Sequence, residues 1–283
     1  MKLRLYDAHN HLQDDRFAGR QAELLAACGC EGVAGMVVNG SGETDWPAVL
    51  ALAQSAADRT VALRIMPSFG YHPWYIHERS GGWLENLRRL LNENPAAAIG
   101  EIGLDRWKPG LSYDGQEEVF IAQLRLAAER NLPVSIHCLQ AWGRMLEILR
   151  TEPRPARGFL LHSYGGPKEM VKPLADLGAY FSLPGYFAHE RKSRQRETFK
   201  AVPRDRLLIE TDAPDQSLPD ARNRFPLTDP ATGKPLNQPA NLRAVYEFAA
   251  ELLGESLETL TDRVSINFKG LFDTPKSASA CDR

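Results

Sequence analysis

The sequence has no excess of charge of either sign, few cysteines and no long apolar run. Its 283 residues include 34 Lys and Arg against 36 Asp and Glu, a net charge of −2. No overall field therefore draws the protein to nucleic acid or to an anionic membrane, and any polyanion must be held locally. Hydrophobic residues make up 43% and charged residues 25% of the chain, which fits a globular protein and excludes a disordered or fibrous one.

The cysteines and the first residues bear on the cellular compartment. Cys28, Cys30, Cys138 and Cys281 are too few and too irregularly spaced for a disulfide framework, so we expect reduced thiols. Met1–Asp7 lacks the apolar core of a signal peptide, and no later run reaches membrane-spanning length. These absences predict a soluble cytoplasmic protein without membrane contact, and nothing in the sequence indicates an obligate protein partner.

Eight short apolar or alternating segments, bounded by Gly, Pro or polar turns, predict strands. They are Leu3–Ala8, Gly32–Asn39, Val61–Gly70, Ala97–Gly103, Pro133–Cys138, Gly158–His162, Ala179–Leu183 and Arg206–Thr211. Apolar residues at spacings of three and four predict helices between them. These helices include Arg20–Cys28, Trp46–Ala57, Trp83–Asn92, Gln116–Arg130 and Ala141–Arg150.

The strand ends recur about every 29 residues, close to the ~30 of a βα unit. We therefore predict an α/β fold, a single-domain (β/α)8 TIM-type barrel over residues 1–273, followed by a flexible tail over 274–283. A doubly wound open sheet is the weaker alternative, because no G-x-G-x-x-G follows the first strand. Residues 213–239 hold six of the 19 prolines and are expected to be neither helix nor strand. A loop this long is either functional or an ordered decoration.

Metal-competent side chains occur where the predicted strands end. They are His9, His11, Glu101, His137, His162 and Asp212. Alternate residues of a strand point the same way, so His9 and His11 can face one ion. Four histidines and two carboxylates at one barrel mouth exceed the needs of one tetrahedral ion and indicate two divalent metal ions, Zn, Mn or, with more carboxylate and water, Mg. Two ions about 3.5–4 Å apart would activate a bridging water, so the predicted reaction is hydrolysis.

Seven motifs spread over the chain resemble the TatD-type metal-dependent deoxyribonucleases of the amidohydrolase-like barrel superfamily. The motifs are Asp7–Leu12, Gly70–Pro73, Gly100–Asp105, Pro133–His137, His162–Gly166, Glu210–Pro214 and Asn267–Phe272. The resemblance implies that DNA is the substrate.

The resemblance also implies roles for single residues. A first ion would be held by His9, His11, Glu101 and Asp212, and a second by Glu101, His137 and His162, with Glu101 bridging. Asp212 would be the general base, and the catalytic set would be Asp212, Glu101 and His72.

Three further residues have open interpretations. His72 resembles the family's substrate-side histidine, which implies that it binds a phosphate oxygen or helps to protonate the leaving group; the alternative is a turn histidine bonded to backbone. Asp105 is expected to orient a metal ligand or to fix a loop. Cys138 neighbours His137 and points to the opposite side of its strand, so we expect it to pack in the core.

The chain departs from the family pattern near the site. Leu139 stands where the family usually has an arginine that faces phosphate or supports the structure, Ser163-Tyr164 follows His162, and Asp215-Gln216 follows Pro214. Without that arginine the protein would bind phosphate more weakly, and the extra acid Asp215 would repel a polyanion. These departures favour, as an alternative, a small phosphoester, lactone or amide substrate. A non-catalytic scaffold with a structural metal is a third possibility, although no ligand is missing.

Basic residues elsewhere near the predicted site could bind phosphate in place of the missing arginine. The stretch 189–206 has seven basic and three acidic residues. Five aromatic residues also follow strand ends, where bases could stack on them. These are Trp74, Trp107, Tyr164, Tyr186 and Phe187. The alternative is a solvated outer helix with ordinary core and rim aromatics.

Overall fold

Eight parallel strands form one sheet in chain order in the computed structural model, which describes residues 3–57 and 63–273. The strands are β1 (Leu5–Asn10), β2 (Val33–Asn39), β3 (Arg64–Phe69), β4 (Ala98–Asp105), β5 (Val134–Leu139), β6 (Phe159–Leu161), β7 (Ala179–Pro184) and β8 (Leu207–Glu210). Backbone hydrogen bonds from Asp212 N to His9 O (3.0 Å) and from His11 N to Ala213 O (2.8 Å) join the chain after β8 to β1. The predicted (β/α)8 barrel is confirmed.

Helices connect the successive strands and cover the barrel. They are α1 (Gln21–Glu31), α2 (Trp46–Ala57), α3 (Trp83–Glu93), α4 (Tyr113–Arg130), α5 (Trp142–Thr151), α6 (Val171–Asp176), α7 (Ser193–Lys200), α8 (Leu242–Leu253) and α9 (Leu257–Phe272). Strands such as β1 and β4 are buried along their whole length, as expected where one face packs in the barrel and the other under helices. Among the described residues, none of these helices combines the length and the apolar character that a bilayer crossing requires. The cytoplasmic location stays a prediction.

Element boundaries differ slightly from the sequence prediction. α4 begins at Tyr113 because the Ser112 hydroxyl caps it by accepting a hydrogen bond from Gly115 N. β4 continues to Asp105, which pairs with Leu139 of β5. Residues 61 and 62 of the third predicted strand and the predicted tail, 274–283, lie outside the described residues. The division into a barrel and a tail therefore stays a prediction.

Gly103 allows β4 and β5 to approach closely beside the site. Its φ is +150°, and a Cβ built there would lie 2.0 Å from the carbonyl oxygen of His137. Any other residue would clash with that backbone atom and adopt a conformation that side chains disfavour. The glycine thus brings the strand of Glu101 against the strand of His137.

The expectation that residues 213–239 contain no strand or helix is wrong. β9 (Leu227–Thr228) and β10 (Pro235–Leu236) form a short antiparallel hairpin, and a 3-10 turn begins at Pro239. The Asp229 carboxylate closes the hairpin turn by accepting hydrogen bonds from Ala231 N and Thr232 Oγ1. Proline is tolerated in a short edge strand, so Pro235 does not prevent β10 from pairing with β9. A high proline content therefore does not exclude a hairpin of this size.

The last two helices, α8 and α9, hydrogen-bond to the first and last strands of the barrel. The Tyr246 hydroxyl of α8 bonds both the N–H and the carbonyl of Tyr6 on β1, each at 3.0 Å. The Asn267 amide of α9 donates to the carbonyls of Arg204 and Leu207, each at 2.9 Å. These bonds fix β1 and β8, whose carboxyl ends carry His9 and Asp212.

Candidate metal centre

All six predicted ligands meet at the carboxyl end of the barrel, on the wall of a cavity of about 1070 Å³ or directly beneath it. His9 is on β1, Glu101 on β4 and His137 on β5. His11, His162 and Asp212 follow the ends of β1, β6 and β8. Five of the six are buried and His11 is half-buried. The parallel strands bring their carboxyl ends to one face, so residues distant in sequence become neighbours.

The Glu101 carboxylate lies between two groups of imidazoles, one at each oxygen. Its Oε2 is 3.2 Å from His9 Nε2 and 3.0 Å from His11 Nε2. Its Oε1 is 2.9 Å from His137 Nδ1 and 2.8 Å from His162 Nε2. Glu101 therefore contacts both halves of the cluster.

Asp212 completes the group around His9 and His11. Its Oδ1 is 3.7 Å from Nε2 of each histidine. The residue has φ of +50°, a left-handed conformation that an Asp tolerates and that often occurs at functional sites. Its backbone N–H bond to His9 O holds it against β1.

The donor atoms have the spacing of metal-binding groups. Three sets lie within 4.8 Å, namely His9, His11 and Asp212; His9, Glu101 and His162; and His72, Glu101 and His137. Ligands of a tetrahedral ion with bonds of about 2.0–2.1 Å are roughly 3.3–3.4 Å apart. Oε1 of Glu101 is also buried, and although ring nitrogens lie close to it, no described residue makes a well-aligned hydrogen bond to it. These buried groups are able to hold metal ions.

Hydrogen bonds on the far side of the His11 and His137 rings set which nitrogen of each neutral ring is free. His11 Nδ1 lies 2.8 Å from Asn39 O, and a carbonyl can only accept, so Nδ1 carries a proton and, in the neutral ring, Nε2 keeps its lone pair. His137 Nε2 lies 3.0 Å from Asp105 Oδ2, which leaves Nδ1 free in the same way. His9 Nδ1 contacts Ser135 Oγ at 2.7 Å. The free nitrogens face Glu101, as metal ligands require.

His72 has the opposite arrangement. The backbone N–H of Trp74 donates to His72 Nδ1 at 3.1 Å, so the proton of the neutral ring is on Nε2. That Nε2 lies 3.3 Å from Glu101 Oε1, and burial lowers the pKa of His72 to about 4. His72 is therefore a neutral hydrogen-bond donor at pH 7. The backbone bond expected of a turn histidine is present, and the ring also lies beside the cluster, so its role toward the substrate stays a prediction.

Asp105 likewise makes both of the contacts considered for it. Its Oδ2 faces His137, and the same oxygen accepts from Trp74 Nε1 at 2.6 Å. Its Oδ1 accepts from the backbone N–H groups of Trp107 and Lys108 at 2.6 and 2.9 Å. These bonds lower the pKa of Asp105 although burial opposes them, so the carboxylate stays charged.

The charges of the cluster reinforce one another. Burial alone would raise the pKa of Glu101, but the facing imidazoles lower it well below its usual range. Burial alone would lower the pKa of His162, but Glu101 raises it well above the usual value. Burial raises the pKa of Asp212 to about 7. The raised pKa values of His162 and Asp212 mean that these two groups tend to hold protons on atoms that face the centre of the cluster.

Several supporting residues were missed from the sequence. Ser135 supports His9, and its position two residues before His137 on one strand was a usable signal. Asn39 supports His11 through its backbone carbonyl, for which the sequence has no signal. Glu210 accepts hydrogen bonds from the Ser163 and Ser182 hydroxyls and lies 3.8 Å from His162 Nδ1. Gln216, noted only as a departure from the family pattern, contacts Asp212.

The other departures lie at the cavity rim. Leu139 is 36% exposed and lines the cavity. Asp215 is bonded by the Arg16 guanidinium through both oxygens, at 2.9 and 2.8 Å. Tyr164 is fully buried against Trp142 and Phe181, so its ring is not open to a base. Cys138 is buried, as expected for core packing.

A (β/α)8 barrel whose strand ends bring histidines and carboxylates into one buried cluster defines a metal-dependent hydrolase. Residues 6–273 match the family model of the TatD related DNases. The chain belongs to this family, as its motifs predicted, and is an enzyme that acts on ester bonds.

Similar proteins match most of the chain. A "3'-5' ssDNA/RNA exonuclease TatD" of Pantoea ananatis is 30% identical over 95% of this chain and 99% of its own. An "uncharacterized metal-dependent hydrolase YcfH" of Escherichia coli is 35% identical over 72% of each chain. The crystal structure of YJJV, a TatD homologue from Escherichia coli, superposes with a TM-score of 0.84 at 27% identity, covering 97% of this chain and all of that one.

Proposed function

We propose that this protein is a deoxyribonuclease that hydrolyses phosphodiester bonds with the help of two divalent metal ions. The observation that carries the proposal is the position of Glu101, with one oxygen at each imidazole group. A single carboxylate in this position can bridge two cations. The family match and the relative described as an exonuclease on single-stranded DNA and RNA support a nucleic-acid substrate.

The residues fit two ions of a borderline type. His9, His11 and Asp212 would hold one with Glu101, and His137 and His162 would hold the other with Glu101. Imidazole with carboxylate suits Zn²⁺ or Mn²⁺, and Mg²⁺ would need more water in its shell. Divalent cations bound in such a cluster acidify water and polarise a phosphoryl oxygen.

The protein's own groups complete the reaction. Asp212 has one carboxylate oxygen toward the cluster and accepts the proton of the attacking water there. His72 carries its proton on Nε2, beside the cluster, and donates a hydrogen bond to a phosphate oxygen or to the leaving oxygen. Asp105, Ser135 and the Asn39 carbonyl hold three rings in the orientation that metal binding needs.

Substitution of the two carboxylates tests this proposal. Glu101→Gln and Asp212→Asn keep the shape of each side chain but remove its charge. We expect each to lower kcat on single-stranded DNA oligonucleotides by at least about 10²-fold, with Zn²⁺, Mn²⁺ or Mg²⁺ added in turn. Circular dichroism and thermal melting show that the variants are folded, and metal analysis gives the ions bound per chain. Folded variants that cut as fast as the parent would falsify the mechanism.

A small phosphoester is the second candidate substrate, and the charge of the cavity favours it. Beyond Glu101 and Asp212, the described residues place five acidic side chains and two of Lys or Arg on the cavity wall. The acids are Asp14, Asp15, Asp45, Glu78 and Asp215, and the bases are Arg16 and Lys192. Parallel assays of oligonucleotides and bis(4-nitrophenyl) phosphate distinguish the two: a kcat/KM that favours the small ester supports this candidate.

A further inference from the structure

The acidic residues of the cavity rim all lie on one half of the barrel. The loops after β8, β1, β2 and β3 are neighbours around the barrel, and they carry every non-ligand acid on the wall. Among the described residues, the other half, formed by the carboxyl end of β5 and the loops after β4, β6 and β7, places no acidic side chain on the wall. One half of the rim is therefore acidic, and the other half carries no acidic side chain.

The cation on the acidic half is already bound. Arg16 pairs with Asp215 and also with Asp14, whose Oδ1 and Oδ2 accept from its Nε and Nη2 at 2.9 and 2.8 Å. One positive charge thus faces two negative charges there. A strand of phosphates on this side would meet Asp15, Asp45 and Glu78 as well, so like charges repel it.

Lys192 is the cation on the other half. Its Nζ lies 4.6 Å from the ring centre of Tyr186, and no carboxylate of the described residues pairs with it. The side chain lines the cavity and is half-buried. A lysine without an acidic partner beside a metal-binding cavity is free to contact a phosphate.

Two other basic residues of the stretch 189–206 are engaged elsewhere, and Arg191 donates to the Tyr186 hydroxyl at 2.6 Å. Arg196 donates to the carbonyls of Phe187, His189 and Glu190. Lys200 pairs with Glu197 at 2.6 Å. Neither lines the cavity. Of the seven basic residues in the stretch 189–206, all of which the structure describes, Lys192 is the one that lines the cavity.

Exposed apolar side chains lie on the same half as Lys192. Trp107, after β4, is 59% exposed, and Leu139, at the end of β5, is 36% exposed. Both line the cavity. A large exposed indole beside a binding cavity costs hydration free energy unless a partner covers it, and stacking on a nucleic-acid base is sequence-tolerant because every base has a π-face.

We propose that the single-stranded substrate crosses the rim over the loops after β4 to β7, where Lys192 contacts a phosphate flanking the scissile one and Trp107 stacks on a base. This path rests on the proposed nuclease function. It directs the polyanion away from the five acids, although the protein as a whole has a net charge of −2.

Substrate length tests the path. A dinucleoside monophosphate has only the scissile phosphate, whereas a hexanucleotide also has flanking ones. We expect Lys192→Gln to raise KM for the hexanucleotide about three- to tenfold more than for the dinucleoside monophosphate. It should also reduce the slope of log KM against log salt by about 0.7. Trp107→Ala should weaken binding of the hexanucleotide about five- to hundredfold.

Lys200→Gln is the matched control, because it removes the same charge at the far end of α7, outside the cavity, whereas Lys192 directly precedes α7 and lines the cavity. We expect its KM to equal that of the parent at both lengths. If Lys192→Gln and Lys200→Gln behave alike, or if the loss at position 192 is equal at both lengths, the proposed path is wrong. If the metal-loaded parent cuts no oligonucleotide, the proposed function itself fails, and that result is separate from any effect of Lys192.

Discussion

Gln216 holds Asp212 by a hydrogen bond from its Nε2 to Oδ2, 2.6 Å long. The same nitrogen donates to Ser163 Oγ at 2.6 Å, and Ser163 donates to Oε1 of the buried Glu210 at 2.5 Å. One amide therefore links the carboxylate beside His9 to a second carboxylate at the end of β8. Because Oδ2 is occupied, Oδ1 is left to face the imidazoles.

Replacing Gln216 by Leu should reduce catalysis by misplacing Asp212. Groups that orient a metal ligand are worth about 10–100-fold in activity or metal affinity, and we expect a loss of kcat in that range. Removing a hydrogen bond to the charged carboxylate also raises its pKa, so the acidic limb of the pH profile of kcat/KM should move to higher pH. Steady-state kinetics on an oligonucleotide measure both effects.

Gln140→Leu is the control for this variant. Gln140 lines the same cavity and has φ of +54°, against +53° for Gln216, so the backbone cost of the substitution is matched. Equal losses in the two variants would show that the hydrogen bond to Asp212 has no special effect.

Asp215→Asn should improve binding of nucleic acid. The substitution removes a negative charge from the rim and one of the two carboxylates that hold Arg16, so we expect KM for a hexanucleotide to fall about two- to fivefold at low salt and less at high salt. In an Arg16→Gln background the gain should shrink, because no guanidinium is released. An unchanged or higher KM in Asp215→Asn would contradict the prediction.

Asp105→Asn should weaken metal binding at His137. The carboxylate accepts the Nε2 proton of that ring, and loss of such a partner typically costs about 10–100-fold in metal affinity. Trp74→Phe is the control, because it removes the indole bond to the same Asp105 oxygen without changing the bond to His137. Calorimetric titration with Zn²⁺ measures both affinities. Equal losses would indicate that Asp105 acts only by fixing the loop.

Gly103→Ala should destabilise the fold strongly. The new methyl group would approach the His137 carbonyl to 2.0 Å at a φ of +150°, so we expect several kcal/mol of destabilisation or failure to fold. Gly143→Ala, in α5, meets no atom within 4 Å and should be neutral or stabilising by up to about 1 kcal/mol. Thermal melting compares the two variants. A stable Gly103→Ala protein would show that β4 and β5 can separate without cost.

Much of the fold and of the cluster could be predicted, because the periodicity of the strands determines which side chains share a face and where the strands end. His9 and His11 lie two residues apart, so a strand presents both on one face. Parallel strands then bring Glu101, His137 and Asp212 to the same end of the barrel. Whether these residues bind metal stays a prediction.

The supporting contacts could not be predicted because they depend on the paths of loops. Gln216 reaches Asp212 because the chain turns tightly after β8, with positive φ at both Asp212 and Gln216. The proton position on His72 depends on the backbone N–H of Trp74, which no residue pattern specifies. The uneven charge of the rim likewise depends on which loops bring their acids to the cavity wall, and the net charge of the chain does not reveal it.

Metal binding should release protons and strengthen as the pH rises. Burial alone would lower the pKa of His11 in the metal-free protein, but its bond to Glu101 and the Glu101 charge raise it to about 9. The folded pKa exceeds the usual 6.5, so protonated His11 stabilises the metal-free fold fully below pH 6.5, and this stabilisation is lost as the pH rises toward 9.

A metal ion needs the neutral ring, so binding at pH 7.5 must displace the His11 proton, and affinity should rise up to about pH 9. Burial lowers the pKa of His9 to about 3, so that ring is already neutral and contributes no proton. Calorimetric titration with Zn²⁺ in buffers of different ionisation enthalpy counts the protons released. His11→Ala should release fewer than the parent, whereas His77→Ala, which alters a histidine outside the cluster, should release the same number. Binding that releases no proton at pH 7.5 would contradict the assignment of His11 as a ligand that is protonated before the ion arrives.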